Sequence, residues 1–247
     1  MLDFNSRSRL SDRLNYLIDA PISDTATASQ DRRYLGASVV GHYCERHVQF
    51  HLLAARGQVT RPQPEARILR IFDRGNTYEA KVRRWLKDAG FLFGSTINGL
   101  DFSDFDGQFR GHVDGVITGW RKILDDNGIT CPVQLPALWE NKCLGAKGWK
   151  KLSEDRLKEY SSTYYVQVQL YMHYVKLQRC LFTAINADTM QLYHEIVGYD
   201  ATEANLAVAR VSTVIQASDN GQLVPRCTSD QNYYICKWCD YRGECWK

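Results

Sequence analysis

Two short stretches hold the residues best equipped for chemistry: Gly111-His112-Val113-Asp114-Gly115-Val116 and Trp139-Glu140-Asn141-Lys142. On a strand, side chains alternate between faces. Glu140 and Lys142 then share one face, and Trp139, Asn141 and Cys143 take the other. A neighbouring strand carrying Asp114 completes a compact polar site. Two carboxylates offer the hard oxygen ligands that suit Mg2+ or Mn2+. A metal held there neutralises charge on a phosphodiester and activates water, while the lysine orients the water or steadies the developing negative charge. The same triplet also describes a solvated strand end with an ion pair, so the flanking residues matter.

Upstream lies Asp73-Arg74-Gly75-Asn76-Thr77-Tyr78-Glu79. On a helix, Phe72, Asn76 and Glu79 share one face, which lets Asn76 and Glu79 reach the same site and join its metal ligands. Downstream, Gln167 and Tyr171 stack one turn apart and point to a phosphate or to the water-activating group. Gln169 and His173 read as parts of an ordinary amphipathic helix. Lys147, Lys150 and Lys151 surround Trp149 just after the Glu-Xaa-Lys strand. Basic residues around an indole suit a nucleic-acid strand, with phosphates on the lysines and a base on the ring, or else a solvated helix start. Arg83, Arg84 and Lys87 read as a solvated face.

The eight cysteines are unevenly spread. Cys44 stands early, and Cys236-x2-Cys239-x5-Cys245 crowds the end of the chain. Four thiolates can hold zinc or an iron–sulfur cluster. Structural zinc sites usually pair two local knuckles, which one distant ligand and three close ones match less well. Cys131, Cys143 and Cys180 read as small buried hydrophobes. Cys227 is the one further thiol suited to replace a ligand.

With these motifs in place, the sequence from about residue 35 to 245 resembles the iron–sulfur branch of the RecB-like PD-(D/E)XK nucleases, which includes the CRISPR-associated exonuclease of spacer acquisition. The resemblance implies metal ligands at Asp114 and Glu140, a catalytic Lys142 and the Gln167/Tyr171 helix motif. It also implies a [4Fe–4S] cluster on Cys44, Cys236, Cys239 and Cys245. Such nucleases usually place a histidine on the first core helix; here Asn76 holds that place, a weaker donor than imidazole for Mn2+. The implied activity is a DNA exonuclease acting on single-stranded or end-frayed DNA. The alternative is a nucleic-acid-binding protein with a four-cysteine cluster, non-catalytic or active only in a complex.

Positioning these residues takes an α/β sheet flanked by helices, and the resemblance implies that it is a restriction-endonuclease-like core. A weak helix is expected around residues 10–18, then a polar linker over 23–30. A helix capped by Ser38 should run to about Arg56 and carry Cys44. Another should run from Pro64 to about Asp88, with Gly90 just beyond. Strands are expected over 91–97, 108–117, 138–144, 180–186 and 191–197, with a polar connection over 118–136. Helices are expected over 149–159, 164–178 and 202–217. The expected division is an extension over 1–34 and one nuclease domain over 35–247, whose cluster module joins 35–60 to 225–247.

At 247 residues and 44% hydrophobic content, the chain can bury a sizeable core. No apolar run is long enough to span a bilayer. The opening residues are polar, so the expectation is a soluble cytoplasmic protein. A net charge of +3 does not by itself announce a nucleic-acid binder, so DNA contact must come from local patches. No Gly-x4-Gly-Lys-Ser/Thr loop occurs, so a helicase partner, or CRISPR or recombination proteins, would be separate chains.

Overall fold

Strands rich in β-branched and aromatic residues pair in the middle of the chain, and helices cover both faces of the sheet they form. The computed structural model describes residues 7–28, 32–94, 101–121 and 130–247. Helix α1 (Arg7–Ala28) is followed by the short strand β1 (Leu35–Gly36), a 3-10 turn (Ala37–Val39) and helices α2 (Glu45–Ala55) and α3 (Ala66–Asp88). Strands β2 (Phe91–Phe93), β3 (Asp101–Asp104), β4 (Phe109–His112), β5 (Gly115–Trp120) and β6 (Ala137–Leu144) come next. Helices α4 (Ala146–Tyr160) and α5 (Ser162–Val175) lead to strands β7 (Arg179–Asn186) and β8 (Leu192–Gly198) and to helix α6 (Ala201–Asp219). Two single turns, α7 (Tyr234–Lys237) and α8 (Arg242–Cys245), complete the order.

The main sheet is mixed, in the order β2-β5-β6-β7-β8; among the described residues, its β6–β7 pair is parallel and the other pairs are antiparallel. A smaller sheet, β1-β4-β3, stands beside it. Alternation along β6 and β7 assigns the two cores. Leu138, Cys180, Phe182 and Ala184 join Val168 and Leu170 of α5 in the larger cluster. Trp139, Leu181 and Ile185 face the other way, onto Val82 of α3. Because Glu140 lies two residues from Leu138, it falls on the α5 side.

Several elements depart from the sequence expectation. Backbone helix continues through Ala28, across most of the stretch expected to be a linker, while residues 29–31 lie outside the described ones. The helix expected from Ser38 is interrupted. A Cβ at Gly41 would stand 2.6 Å from the Ser162 carbonyl oxygen, so the start of α5 presses on the chain there. The helix restarts only at Glu45, with Cys44 as its N-cap rather than within it. The strand expected over 108–117 is two strands in two sheets, broken at Val113-Asp114. Strand β3 was not expected. The strand expected over 91–97 is described only as far as Phe93, and 95–97 lie outside the described residues, as do 122–129 of the polar connection. The other expected strands and helices stand where the hydrophobic period places them, α4 starting slightly earlier.

Candidate functional site

Asp114 stands where the chain leaves the small sheet and enters the large one, between β4 and β5. That junction turns its carboxylate toward β6. The Asn141 backbone N–H donates to Asp114 Oδ2 at 2.8 Å. Arg83 of α3 donates to the Asp114 carbonyl and lies 3.4 Å from Glu79 Oε1. One strand along, Lys142 Nζ is 2.5 Å from Glu140 Oε1. Gln167 Nε2 donates to the same Oε1 at 3.0 Å and to the Tyr171 hydroxyl at 2.9 Å. Tyr164 sets its ring 5.0 Å from the Lys142 ammonium.

All five residues expected to be catalytic, Asp114, Glu140, Lys142, Gln167 and Tyr171, line one cavity of about 680 Å³. Asn76 and Glu79 of α3 line it too. Glu140 is 1% exposed, and its Oε2 is buried without a hydrogen-bond partner. Burial pushes the Glu140 carboxyl up to about 8; the Lys142 ammonium opposes this, and Asp114 and Glu79 add to it. Burial also raises Asp114, against Lys142, the Asn141 N–H and Arg83. Glu79 is raised by burial and by the nearby Asp114. Burial by itself would lower Lys142, but the charges of Glu140 and Asp114 outweigh it and hold the ammonium protonated. Three carboxyls thus stand around Lys142 and Arg83, and all three are shifted upward, so ionising them together is costly and a divalent cation would relieve that cost. An orphaned buried oxygen beside oxygen donors fits the same group. Among the described residues, no three His, Cys, Asp or Glu side chains stand, as placed, in a grouping ready to hold an ion. Glu140 Oε1 and Asp114 Oδ2 are instead turned to their protein partners.

The residues of α4 are elsewhere. Trp149 packs against the main core and donates to the Ala184 carbonyl at 3.2 Å, and Lys150 lies 3.8 Å from Glu154. None of Lys147, Trp149, Lys150 and Lys151 lines the carboxylate cavity. Its basic and aromatic wall comes from Arg32, Tyr34, Arg110 and His112 instead. The parallel pairing of β1 with β4 brings these together, a long-range contact with no local signature. Tyr34 is held by its hydroxyl, 2.8 Å from His112 Nε2, and His112 Nδ1 is 2.7 Å from Asp101. Arg83, expected on a solvated face, is half-buried against Asp114; its i,i+4 spacing from Glu79 was the available signal. Gln169 and His173 do serve structure: Gln169 donates to the Gly198 carbonyl and accepts from Asp200 N, and His173 meets the Tyr199 hydroxyl.

The tail folds back on α2. Tyr241 stacks on Phe50 with ring centroids 5.5 Å apart. Cys44, Cys236, Cys239 and Cys245 line one small cavity, together with Cys227 and His47. His47 Nδ1 lies 3.4 Å from Cys239 Sγ. Burial raises the Cys227 thiol to about 12, helped by Cys44 and Cys236 beside it. Cys180 is fully buried in the main core, and Cys131 and Cys143 pack partly buried against the other.

No protein-family model matches the sequence, and no curated protein does. Solved structures do match. The alkaline exonuclease LHK-Exo from Laribacter hongkongensis superposes with a TM-score of 0.52 at 16% identity, over 77% of this chain and 90% of its own. The same exonuclease in complex with dAMP gives a TM-score of 0.55 at 19% identity over the same shares. SSO0001 gives 0.48 at 15% identity over 92% and 93%, too distant to carry an argument. The likeness shows a fold: mixed α/β, with a central mixed sheet flanked by helices, shared with LHK-Exo. No described helix is long and apolar enough to cross a membrane.

Proposed function

We propose that this protein is a metal-dependent DNA nuclease, an exonuclease acting on single-stranded or end-frayed DNA. One observation carries the reading: Asp114, Glu140, Lys142 and Gln167 converge in one cavity, and Glu140 keeps a buried oxygen free of any protein partner. Asp114 and Glu140 would hold Mg2+ or Mn2+, with Asn76 and Glu79 within the same cavity. Such an ion, when bound, supplies charge neutralisation and a more acidic water. The chain supplies the rest. Lys142 is fixed by Glu140 and offers a permanent positive charge to the reacting phosphate. Gln167 holds Glu140 in place and is itself seated against Tyr171. Arg83 anchors the bend that carries Asp114. The neighbour LHK-Exo is an exonuclease and was crystallised with dAMP, which supports DNA as the substrate.

Cys44, Cys236, Cys239 and Cys245 would hold a [4Fe–4S] cluster, which takes four thiolates; these four line one cavity, with Cys227 as a fifth thiol beside them. Anaerobically purified protein should be brown. Zinc without iron on elemental analysis would keep the four thiol ligands and discard the cluster.

The function is tested by incubating purified protein with end-labelled single- and double-stranded DNA and Mg2+, Mn2+ or EDTA. Cleavage should need metal and vanish in Asp114→Ala and Glu140→Ala, while DNA binding persists. Metal-independent binding without cleavage would favour a cysteine-cluster binding module instead.

A further inference from the structure

The outer wall of the carboxylate cavity has a composition that catalysis does not explain. Phe72 is a large apolar side chain left 55% exposed on α3. It shares its helix face with Asn76 and Glu79, and all three line the carboxylate cavity. Phe72 also lines a second cavity of about 400 Å³. The two cavities share Arg32, Tyr34 and Gly36, so they adjoin. Arg61 lines the second cavity, and Arg110 the first. A third cavity adds Arg33 and Arg56, again with Arg32 and Arg61. The guanidinium carbons of Arg32 and Arg110 each lie 5.2 Å from the centroid of Tyr34. A Cβ on Gly36 would stand 3.0 Å from Arg32 Nη1, so the bare glycine lets that guanidinium lie close to the backbone.

An acidic centre suited to a cation thus opens onto a wall of arginines with a bare phenyl ring at the join. Arginines alone would suit any polyanion. The exposed ring at the boundary adds a flat apolar face, and a polyanion that also carries flat apolar rings is a nucleic-acid strand with unpaired bases. Resting on the nuclease reading, we infer that Phe72 stacks on an unpaired base next to the phosphate at the carboxylates, while Arg32, Arg61 and Arg110 pair with the phosphates that follow. Stacking on Phe72 would need the base out of its duplex, which makes this residue a determinant of preference for single-stranded or frayed ends.

The test measures fluorescence anisotropy of the full chain, in EDTA, with a labelled oligothymidine and an abasic strand of equal length. Phe72→Ala should weaken oligothymidine binding on the order of tenfold and leave the abasic strand unchanged. Phe72→Trp should restore binding and show indole quenching by the base-bearing strand. Arg32→Ala and Arg110→Ala should weaken both strands alike and lower the salt slope by about one each. The inference is overturned if Phe72→Ala affects both strands equally or neither. It is overturned too if the variant changes only the oligomeric state, which would make the ring a protein contact. Parent protein that cuts and binds while Phe72→Ala is silent sinks the stacking role alone. Parent that neither binds nor cuts sinks the nuclease reading with it.

Discussion

Glu140 and Lys142 meet at 2.5 Å yet respond differently to pH. The Glu140 carboxyl has an ordinary value of 4.5 and is pushed to about 8 in the fold, by burial first and with Asp114 and Glu79 adding. Without metal, the folded protein therefore keeps a proton that the unfolded chain has lost. That contribution to stability is fully present below 4.5 and disappears as pH rises toward 8. Thermal melts in EDTA should fall in Tm across this window. Glu140→Gln should flatten the fall and melt higher at its alkaline end, each kcal/mol recovered being about 2–4 °C for a chain of this length. Mg2+ or Mn2+ should raise the parent's Tm more at the alkaline end, because the cation takes the place of the proton. Parallel curves for parent and Glu140→Gln would contradict the electrostatic account. Lys142→Ala should retain this metal-induced rise but lose about 10²–10³ in cleavage rate, since it removes a charge aimed at the reacting centre. The pairing of these two residues was legible in the sequence because a strand has a period of two. Asp114's carbonyl contact with Arg83 was not, because it joins residues 31 positions apart through a bend that no local pattern announces.

At the scale of elements, the strands that bury both faces were readable as apolar runs; β6 and β7 follow their expected spans closely. The break at Val113-Asp114 was not readable, since Phe109 to Ile117 is a continuous strand-like sequence whose halves are captured by different sheets. Helical period puts Phe72 on the face of Asn76 and Glu79, and the structure keeps it there, lining the same cavity; its exposure follows from the tertiary position of α3. Two elements carry their own predictions. On α3, Asn76→His places an imidazole into the carboxylate cavity and should raise cleavage at limiting Mn2+ more than at limiting Mg2+, because imidazole suits the softer ion. An equal response to both metals would place Asn76 outside the ligand set. On α4, Lys147, Lys150 and Lys151 stand away from that cavity, so their phosphates would belong to a longer stretch of strand. Replacing all three by Ala should reduce the salt slope for a long oligonucleotide by up to about three and leave a short one unaffected. An unchanged slope for the long strand would reduce these lysines to a solvated helix face.

Across the whole molecule, the end of α6 and the segment after it are held on α2 by the Tyr241–Phe50 stack and by two further devices of different chemistry. One is polar and needs no metal. Buried Gln49 donates to Ser218 Oγ at 3.1 Å and to the Gln222 carbonyl at 2.7 Å, and accepts from Val224 N at 2.8 Å. The other is the thiol cavity, where Cys44 meets the cysteines of the tail. The spacing of those cysteines made the second device readable in the sequence; a lone glutamine gave no sign of the first. The two should fail differently. Cys236→Ser should remove the visible absorbance and expose the tail to limited proteolysis, with the main thermal transition little changed, because the sheet's cores lie elsewhere. Gln49→Ala strands the buried Val224 N–H, at about 1–3 kcal/mol, and also removes the bonds to Ser218 and Gln222, so it should lower the main transition itself. Acid should act on the thiol side. His47 lines the thiol cavity and is lowered to about 3 by burial and by His42 and His51; His51 is lowered to about 4 by burial and by Arg61. Both ordinarily titrate at 6.5, so the stability they lend is complete above that value and drains away as pH falls toward 4 and 3. Tail proteolysis of the parent should therefore accelerate below 6.5, before the sheet melts. In His47→Gln, whose side chain cannot take up a proton, that acceleration should be weaker; an acid response identical to the parent's would remove His47 from the account.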